Sequence, residues 1–359
     1  MKLILHCGLN KAGSTYIQNM FVESVPVLER KGIYYPEPYD SGIGNAGFFS
    51  LALKSLDWRQ SESRFFEFYR GANNRNCDAI LLSSEYLLFQ IINDKQRNLL
   101  TNIINHYGIS DVCLVIVFRN IVEHAISAYS HRCGTIKLPK FEHWIKGDTG
   151  EYPYFSFRQE LDRRDKFWYS KYEFWDSLDK LLNVIDRGEF KIFPVQYSNN
   201  LKKDLDDLIG VSLVPPKNSN INKSMTLNQA ELCRILFDVN EEWGRHARLF
   251  FKRDHDYVVP SDSELKIEYE NLVIEAIEYN IDNIKKLEGK LGISLRTSKE
   301  NSKIASSSVQ AGHVKELRFS ELEIKGVVDR VNEKSLSLKG IIHSIIIKLK
   351  RKIGIINPF

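Results

Sequence analysis

The first 23 residues combine an apolar run, a polar turn and a helical segment, and this order constrains the fold more than any other stretch. The apolar run Leu3–Leu5 is followed by the turn Leu9–Gly13. Ser14 and Thr15 then open a helix that we predict over Tyr16–Glu23. Backbone N–H groups at a helix N-terminus are unpaired and lie at the positive end of the helix dipole. The order therefore predicts a site for a phosphate-like anion.

The position of the lysine separates this turn from the loop of nucleoside-triphosphatases. That loop has the sequence G-x-x-x-x-G-K-[ST], with the lysine directly after the second glycine. Gly8 and Gly13 have the right spacing, but Ser14 stands where that lysine would be, and the lysine of this turn is Lys11. The plainer alternative is a glycine-containing turn followed by a helix cap.

A second apolar run ends in an arginine. Val112–Phe118 is continuous and rich in β-branched residues, which is typical of a strand buried on both faces of a parallel sheet. Arg119 follows it, and Ser127 lies about two turns along a predicted helix, Ile121–Arg132. Arginine offers a planar, bidentate fork to phosphate. The alternative for Arg119 is a surface ion pair at the end of a strand.

A third apolar run, Ala79–Ser83, leads into Glu85. Ligands of open α/β sheets bind outside the carboxyl ends of the strands. We therefore expect Lys11, Glu85 and Arg119 to lie around one site. The alternative is that Glu85 caps the next helix, Tyr86–Ile91, or pairs with a basic residue.

Together these segments resemble the sulfotransferases whose donor is 3′-phosphoadenosine 5′-phosphosulfate (PAPS), in particular those of bacteria that act on carbohydrates. The family loop typically has the sequence Pro-Lys-[Ser/Ala]-Gly-[Ser/Thr]-Thr, and this chain has Asn in place of the proline. The resemblance implies that the donor's 5′-phosphosulfate binds to the loop Asn10, Lys11, Ala12, Gly13, Ser14 and Thr15.

The resemblance also assigns roles outside the loop. It implies that Arg119 and Ser127 hold the donor's 3′-phosphate, that Lys11 and Glu85 are catalytic, and that no metal is required. The weaker candidates for the base are His124 and His131. The acceptor would be a hydroxyl of a carbohydrate or a glycolipid.

A fourth segment of the resemblance precedes a helix predicted over Leu227–Trp243. Lys223 and Ser224 are candidates for further donor contacts. The alternative is an ordinary loop and helix cap, because Ser224 and Thr226 are good N-cap residues.

The alternation of apolar runs and helical segments predicts an α/β fold with a parallel sheet and helices on both faces, of P-loop type by the resemblance. We expect a domain over residues 1–295, a Ser-rich linker over 296–312 and a C-terminal hairpin with a basic amphipathic segment over 313–359. Further strands are predicted at Lys2–His6, Ile33–Tyr35 and Phe190–Val195, and further helices at Arg59–Arg70, Lys95–Tyr107, Lys171–Arg187 and Ser263–Leu291.

The C-terminal segment Gly340–Phe359 mixes isoleucine with lysine and arginine. Such a segment is suited to lie on an anionic membrane surface. The alternative is a helix docked on the core or on a second subunit of a homo-oligomer.

Composition excludes several other classes. The net charge of +4 is small and the pI of about 8.6 is below the value of about 9 typical of nucleic-acid binders, so no nucleic-acid partner is indicated. The five cysteines are scattered without metal-ligand spacing, so we expect them to be reduced and mostly buried. The first apolar run is too short for a signal peptide, and no run of about 18 apolar residues follows. We therefore expect a cytoplasmic bacterial protein, with the inner membrane surface as an alternative place.

Two other functions remain as alternatives at this stage. A kinase-like nucleotide enzyme shares the strand, loop and helix but needs Mg²⁺ and a carboxylate to hold it. The other alternative is a non-catalytic assembly protein on the same fold.

Overall fold

The computed structural model describes residues 1–9, 11–37, 44–146, 174–198, 200–217, 225–253 and 263–296. Within these ranges five strands form a single sheet: β1 (Lys2–Gly8), β2 (Ile33–Tyr34), β3 (Ala79–Ser83), β4 (Asp111–Phe118) and β5 (Lys191–Gln196). Their order is β2-β3-β1-β4-β5, and every neighbouring pair is parallel. The sheet is flanked by helices, so the predicted parallel α/β fold is confirmed.

The helices alternate with the strands in the first two thirds of the chain and follow one another after β5. They are α1 (Ser14–Glu23), α2 (Val25–Arg30), α3 (Gly47–Ser55), α4 (Trp58–Asn74), α5 (Tyr86–Ile91), α6 (Asp94–His106), α7 (Ile121–Arg132), α8 (Phe141–Lys146), α9 (Phe174–Arg187), α10 (Leu201–Ile209), α11 (Leu227–Val239), α12 (Glu241–Arg253), α13 (Ser263–Tyr279) and α14 (Ile281–Leu291).

The central strands are apolar along their length because helices cover them. All five residues of β3 are buried, as are Cys113–Phe118 of β4. β5 lies at the edge of the sheet, is only partly buried, and carries Pro194, a residue that sheets tolerate mainly at their edges. Burial therefore follows position in the sheet, with β1, β3 and β4 at its centre.

Two helices predicted as continuous are each broken at an asparagine, so those predictions are wrong. Leu227–Trp243 breaks at Asn240, which is extended (φ −156°, ψ 122°), and its Oδ1 accepts hydrogen bonds from the backbone N–H groups that begin α12. Ser263–Leu291 breaks at Asn280, whose Nδ2 donates to Ala276 O at 2.8 Å. Asparagine side chains compete with the helical backbone for hydrogen bonds, and this favours helix ends.

All five cysteines are free and buried, as expected. None of the helices in the described ranges combines the length and the apolarity needed to cross a bilayer. The predicted linker and C-terminal segment, residues 297–359, lie outside the described residues.

Candidate anion-binding site at the carboxyl edge of the sheet

The strand order brings three sequence-distant segments to one edge of the sheet. β1 lies between β3 and β4, with His6 beside Ser83 and Gly8 beside Val117. The residues that follow these strands therefore leave the sheet side by side. The guanidinium of Arg119 donates from Nη1 to the backbone oxygen of Lys11 at 3.3 Å. The loop and the end of β4 are thus joined directly.

Lys11 holds the loop in an uncommon backbone conformation. Its φ of 70° is in the left-handed region, which costs a non-glycine residue on the order of 1–2 kcal/mol. The next residue, Ala12, is fully buried and donates its N–H to Leu9 O at 3.1 Å. This hydrogen bond closes the turn around Lys11 and therefore fixes the position of the Lys11 Cβ.

Gly8 at the end of β1 and Gly13 at the end of the loop both lie where another side chain leaves no room for a Cβ. A Cβ added at Gly8 would overlap the hydroxyl of Ser14, and one at Gly13 would overlap the ring of Tyr197. Gly13 also has a φ of 86°, which side-chain-bearing residues rarely adopt. The glycine spacing noted in the sequence is therefore needed for packing, independently of any ligand.

The N-terminus of α1 is left without its usual protein partners. Its N-cap residue is Gly13, no side chain caps it, and its first turn carries no acidic residue. The hydroxyl of Ser14 is only 1% exposed, lies near the Glu85 carboxylate, and forms no well-aligned hydrogen bond within the part of the chain that the structure describes. A buried polar group without a partner costs about 1–3 kcal/mol. An anionic oxygen at the start of α1 would satisfy both the N–H groups and this hydroxyl, so the residues present fit a phosphate or a sulfate.

Lys11 and Glu85 perturb each other electrostatically. Burial lowers the pKa of Lys11 to about 8, the carboxylate of Glu85 opposes that shift, and the cations Lys252, Arg248 and Arg132 reinforce it. Burial raises the pKa of Glu85, against the opposing effects of Lys11 and of the nearby Ser14 hydroxyl. The site therefore holds a cation that is mainly protonated at neutral pH beside a carboxylate more basic than usual.

Glu85 does not cap α5, so the capping half of the alternative for its role is wrong, whereas its electrostatic interaction with Lys11 agrees with the other half, pairing with a basic residue. It stands at the N-cap position but makes no capping hydrogen bond. The hydroxyl of Ser84 accepts from the N–H of Tyr86 at 3.2 Å instead. The Glu85 carboxylate is therefore not used to stabilise the helix start.

Arg119 combines an ion pair with contacts to the loop. Its Nε donates to Glu123 at 3.0 Å, so the surface ion pair that we considered as the alternative does form. Its guanidinium also lies over the ring of Tyr197. These contacts fix the plane of the guanidinium but use only part of its five N–H donors. Ser127 lies one turn beyond Glu123 on the same face of α7 and is partly buried.

The two histidines considered as bases differ in their surroundings. His124 is buried on α7. Desolvation, together with smaller effects of the charges of Lys11, Arg248, Lys252 and Arg132, lowers the pKa of His131 to about 3. The imidazole of His131 is therefore neutral at physiological pH.

Three candidate donor-binding residues, Asn10, Lys223 and Ser224, lie outside the described residues.

Four residues of this region were not predicted from the sequence. Tyr197 directly follows β5, donates its N–H to Phe118 O at 2.7 Å and is 38% exposed. Arg132, Arg248 and Lys252 contribute charge beside Lys11. An aromatic residue directly after a strand was the only sequence signal for Tyr197. The spacing of four between Arg248 and Lys252, which indicates one helix face, was the signal for that pair.

Comparisons with protein-family models, with curated proteins and with solved structures found no match to this chain. Among the described residues no group of three or more His, Cys, Asp or Glu side chains is arranged to hold a metal ion.

Proposed function

We propose that this protein is a sulfotransferase that moves a sulfuryl group from PAPS to a hydroxyl of a carbohydrate or glycolipid acceptor. The observation that carries the proposal is the joining of Lys11 to both Arg119 and Glu85 at the uncapped start of α1. Arg119 is linked to Lys11 by a hydrogen bond, and Glu85 is linked to Lys11 by the effect that each charge has on the pKa of the other group.

The donor's anionic groups have two places to bind in this proposal. The 5′-phosphosulfate would lie at the N-terminus of α1, on the backbone N–H groups and the buried Ser14 hydroxyl. The 3′-phosphate would lie on the remaining donors of Arg119 and on Ser127. Because ATP has no 3′-phosphate, Arg119 would discriminate between the two nucleotides.

The proposed transfer is a single displacement at sulfur. The acceptor oxygen forms a bond to sulfur while the bond from sulfur to the bridging oxygen breaks, and 3′,5′-adenosine bisphosphate leaves with that electron pair. The Lys11 ammonium neutralises the charge that develops on the bridging oxygen, and Glu85 takes the acceptor proton. The raised pKa of Glu85 makes it a stronger base than an exposed glutamate.

The kinase alternative is disfavoured by the loop itself. A triphosphate site needs its lysine directly after the second glycine, and here Ser14 holds that position. The non-catalytic alternative is disfavoured because the left-handed Lys11 and the poorly hydrogen-bonded Ser14 hydroxyl are costs that packing alone does not require.

The deciding experiment is calorimetry of the full chain with 3′,5′-adenosine bisphosphate without metal, compared with ATP plus Mg²⁺. We expect the bisphosphate to bind and ATP–Mg²⁺ to bind much more weakly. Equal or tighter binding of ATP–Mg²⁺ would favour a kinase-like enzyme, and binding of neither would favour the assembly protein.

A further inference from the structure

Three cations lie beside the Lys11 ammonium. Arg248 donates from Nη1 to the backbone oxygens of Ser130, at 3.4 Å, and Cys133, at 3.0 Å, so its guanidinium lies at the C-terminal end of α7. Arg132 belongs to the same end of α7, and Lys252 follows Arg248 by one turn of α12. We call Arg132, Arg248 and Lys252 the basic cluster.

Close packing between α7 and α12 fixes this arrangement. A Cβ added at Gly134, just after α7, would lie 2.7 Å from Gly244 O and 3.2 Å from the Cβ of Arg248. The chain therefore passes directly against α12 at this point. Arg248 is only 6% exposed, and its guanidinium is held by the two hydrogen bonds to the end of α7.

Arg248 and Lys252 differ from the buried Arg97 in their partners. Arg97 is 1% exposed and forms ion pairs with Asp94 and Glu189. Within the described ranges no carboxylate forms an ion pair with Arg248 or Lys252. The dipole at the end of α7 favours a cation at Arg248, but it falls off within the last turn and does not account for Lys252.

The backbone oxygen and the side-chain ammonium of Lys11 interact with different neighbours. Its backbone oxygen accepts from Arg119, whereas its ammonium responds to Glu85 and to all three residues of the basic cluster. In the proposed donor site the 3′-phosphate lies toward Arg119. The acceptor must approach the sulfuryl group beside the Lys11 ammonium, and this is the group on which the charges of the basic cluster act.

We propose that the basic cluster is an anion subsite for the acceptor. The acceptor is then a carbohydrate that carries an anionic oxygen group, a carboxylate or a phosphate ester, close to the hydroxyl that reacts. This inference rests on the proposed function for the identity of the acceptor, whereas the subsite itself rests on the contacts of α7 and α12.

The test measures binding of three sugars to the full chain saturated with 3′,5′-adenosine bisphosphate, by ligand-observed NMR. The probes are glucuronic acid, glucose 6-phosphate and glucose, which separate a carboxylate from a phosphate and both from a neutral ring. We expect at least one anionic sugar to bind about tenfold more tightly than glucose, the effect of one charge-assisted contact. Lys252→Gln and Arg132→Gln should reduce that preference severalfold.

The matched control is Arg245→Gln, on the same helix, because Arg245 is exposed and already paired with Glu241 at 3.2 Å. It should leave the preference unchanged. Equal binding of all three sugars would overturn the inference. So would a loss of bisphosphate affinity in Lys252→Gln as large as the loss of sugar affinity, because the cluster would then belong to the donor site.

Failure of the proposed function gives a different result. If the bisphosphate does not bind at all, the sulfotransferase proposal fails, and the same sugar series on the free protein decides the subsite alone. A preference for the anionic sugar that is lost in Lys252→Gln would support it, and no preference would overturn it.

Discussion

The guanidinium of Arg119 lies over the ring of Tyr197, with its Cζ 5.4 Å from the ring centroid, and the same ring packs against Gly13. One aromatic side chain thus contacts both the end of β4 and the last residue of the loop. The ring therefore couples the position of Arg119 to the conformation of the loop.

This coupling predicts a non-additive pair of substitutions. Gly13→Ala adds a Cβ that overlaps the Tyr197 ring and also strains a backbone with φ of 86°, so we expect a loss of about 1–3 kcal/mol in the free energy of unfolding. Tyr197→Ala should recover the part that comes from the overlap. Urea denaturation of the two single variants and the double variant measures the coupling. Strict additivity would show that the ring does not pack against the loop.

Ser14→Ala is expected to leave the protein as stable as before or more stable. The substitution removes a buried hydroxyl that forms no well-aligned hydrogen bond among the described residues, and this relieves on the order of 1 kcal/mol. Affinity for 3′,5′-adenosine bisphosphate should fall at the same time. The matched control is Ser24→Ala at the other end of α1, because that hydroxyl donates to Met20 O and accepts from the N–H of Val214, both at 2.7 Å. A clear loss of stability in Ser14→Ala, as in the control, would contradict the prediction.

Arg119→Ala should weaken binding of 3′,5′-adenosine bisphosphate by roughly 2–4 kcal/mol, the effect of a lost bidentate charge-assisted contact. The chain offers a close control in Arg75, which lies over the ring of Tyr34 at 4.9 Å and pairs with Glu29 at 2.9 Å. Arg75→Ala loses the same kinds of contact at another place. Calorimetry that shows equal effects for the two variants would remove Arg119 from the donor site.

Turnover should fall as the pH rises through about 8, because Lys11 then loses the proton that its role requires. Lys11→Ala should lower turnover at pH 7 and remove this limb of the pH–rate profile. A limb near the ordinary lysine value of about 10.4 would indicate that burial does not affect the ammonium.

The same shift affects stability, with a sign that follows from proton binding. The folded chain releases the Lys11 proton near pH 8, whereas the unfolded chain holds it to about 10.5. The unfolded state therefore binds more protons in this window, and stability rises with pH there. Lys11→Gln should lack this rise in denaturation experiments between pH 8 and 10.5.

Glu85→Gln should lower turnover about 10²–10⁴-fold with little change in bisphosphate affinity, because an amide cannot accept the proton. Burial raises the pKa of Glu85 in the folded state, so its ionisation opposes folding at neutral pH, and the glutamine variant should be the more stable there. That difference should shrink as the pH falls through the raised folded-state pKa of Glu85 and should disappear below its unfolded-state pKa. Normal turnover per folded molecule would transfer the role of base to another group, with His131 the first to test.

The sequence predicted the ends of the central strands and helices well, because the residue types at those ends are typical of strand and helix boundaries. Ala79–Ser83, Tyr86–Ile91 and Ile121–Arg132 match the structure residue for residue, since apolar runs end there at residues suited to helix starts. The break at Asn280 was missed because hydrophobic spacing continues through it. The resemblance indicated a helix end near Asn240, but the predicted helix was carried past that residue to Trp243.

The site was predictable in part for the same reason. Lys11, Glu85 and Arg119 each follow a strand, so sheet topology alone brings them together. Arg248 and Lys252 belong to a helix far along the chain, and only the packing of α12 against the end of α7 brings them to Lys11. No local pattern carries that information.

The buried cysteines give each region of the molecule its own reporter of opening. Burial raises the pKa of all five thiols, so an alkylating reagent should react with them only when the surrounding structure opens. Cys7 reports on the strand before the loop, and Cys133 and Cys233 report on the packing of α7 against α11 and α12. The order in which peptides become labelled would rank the local stabilities of the two halves of the site without introducing a foreign probe.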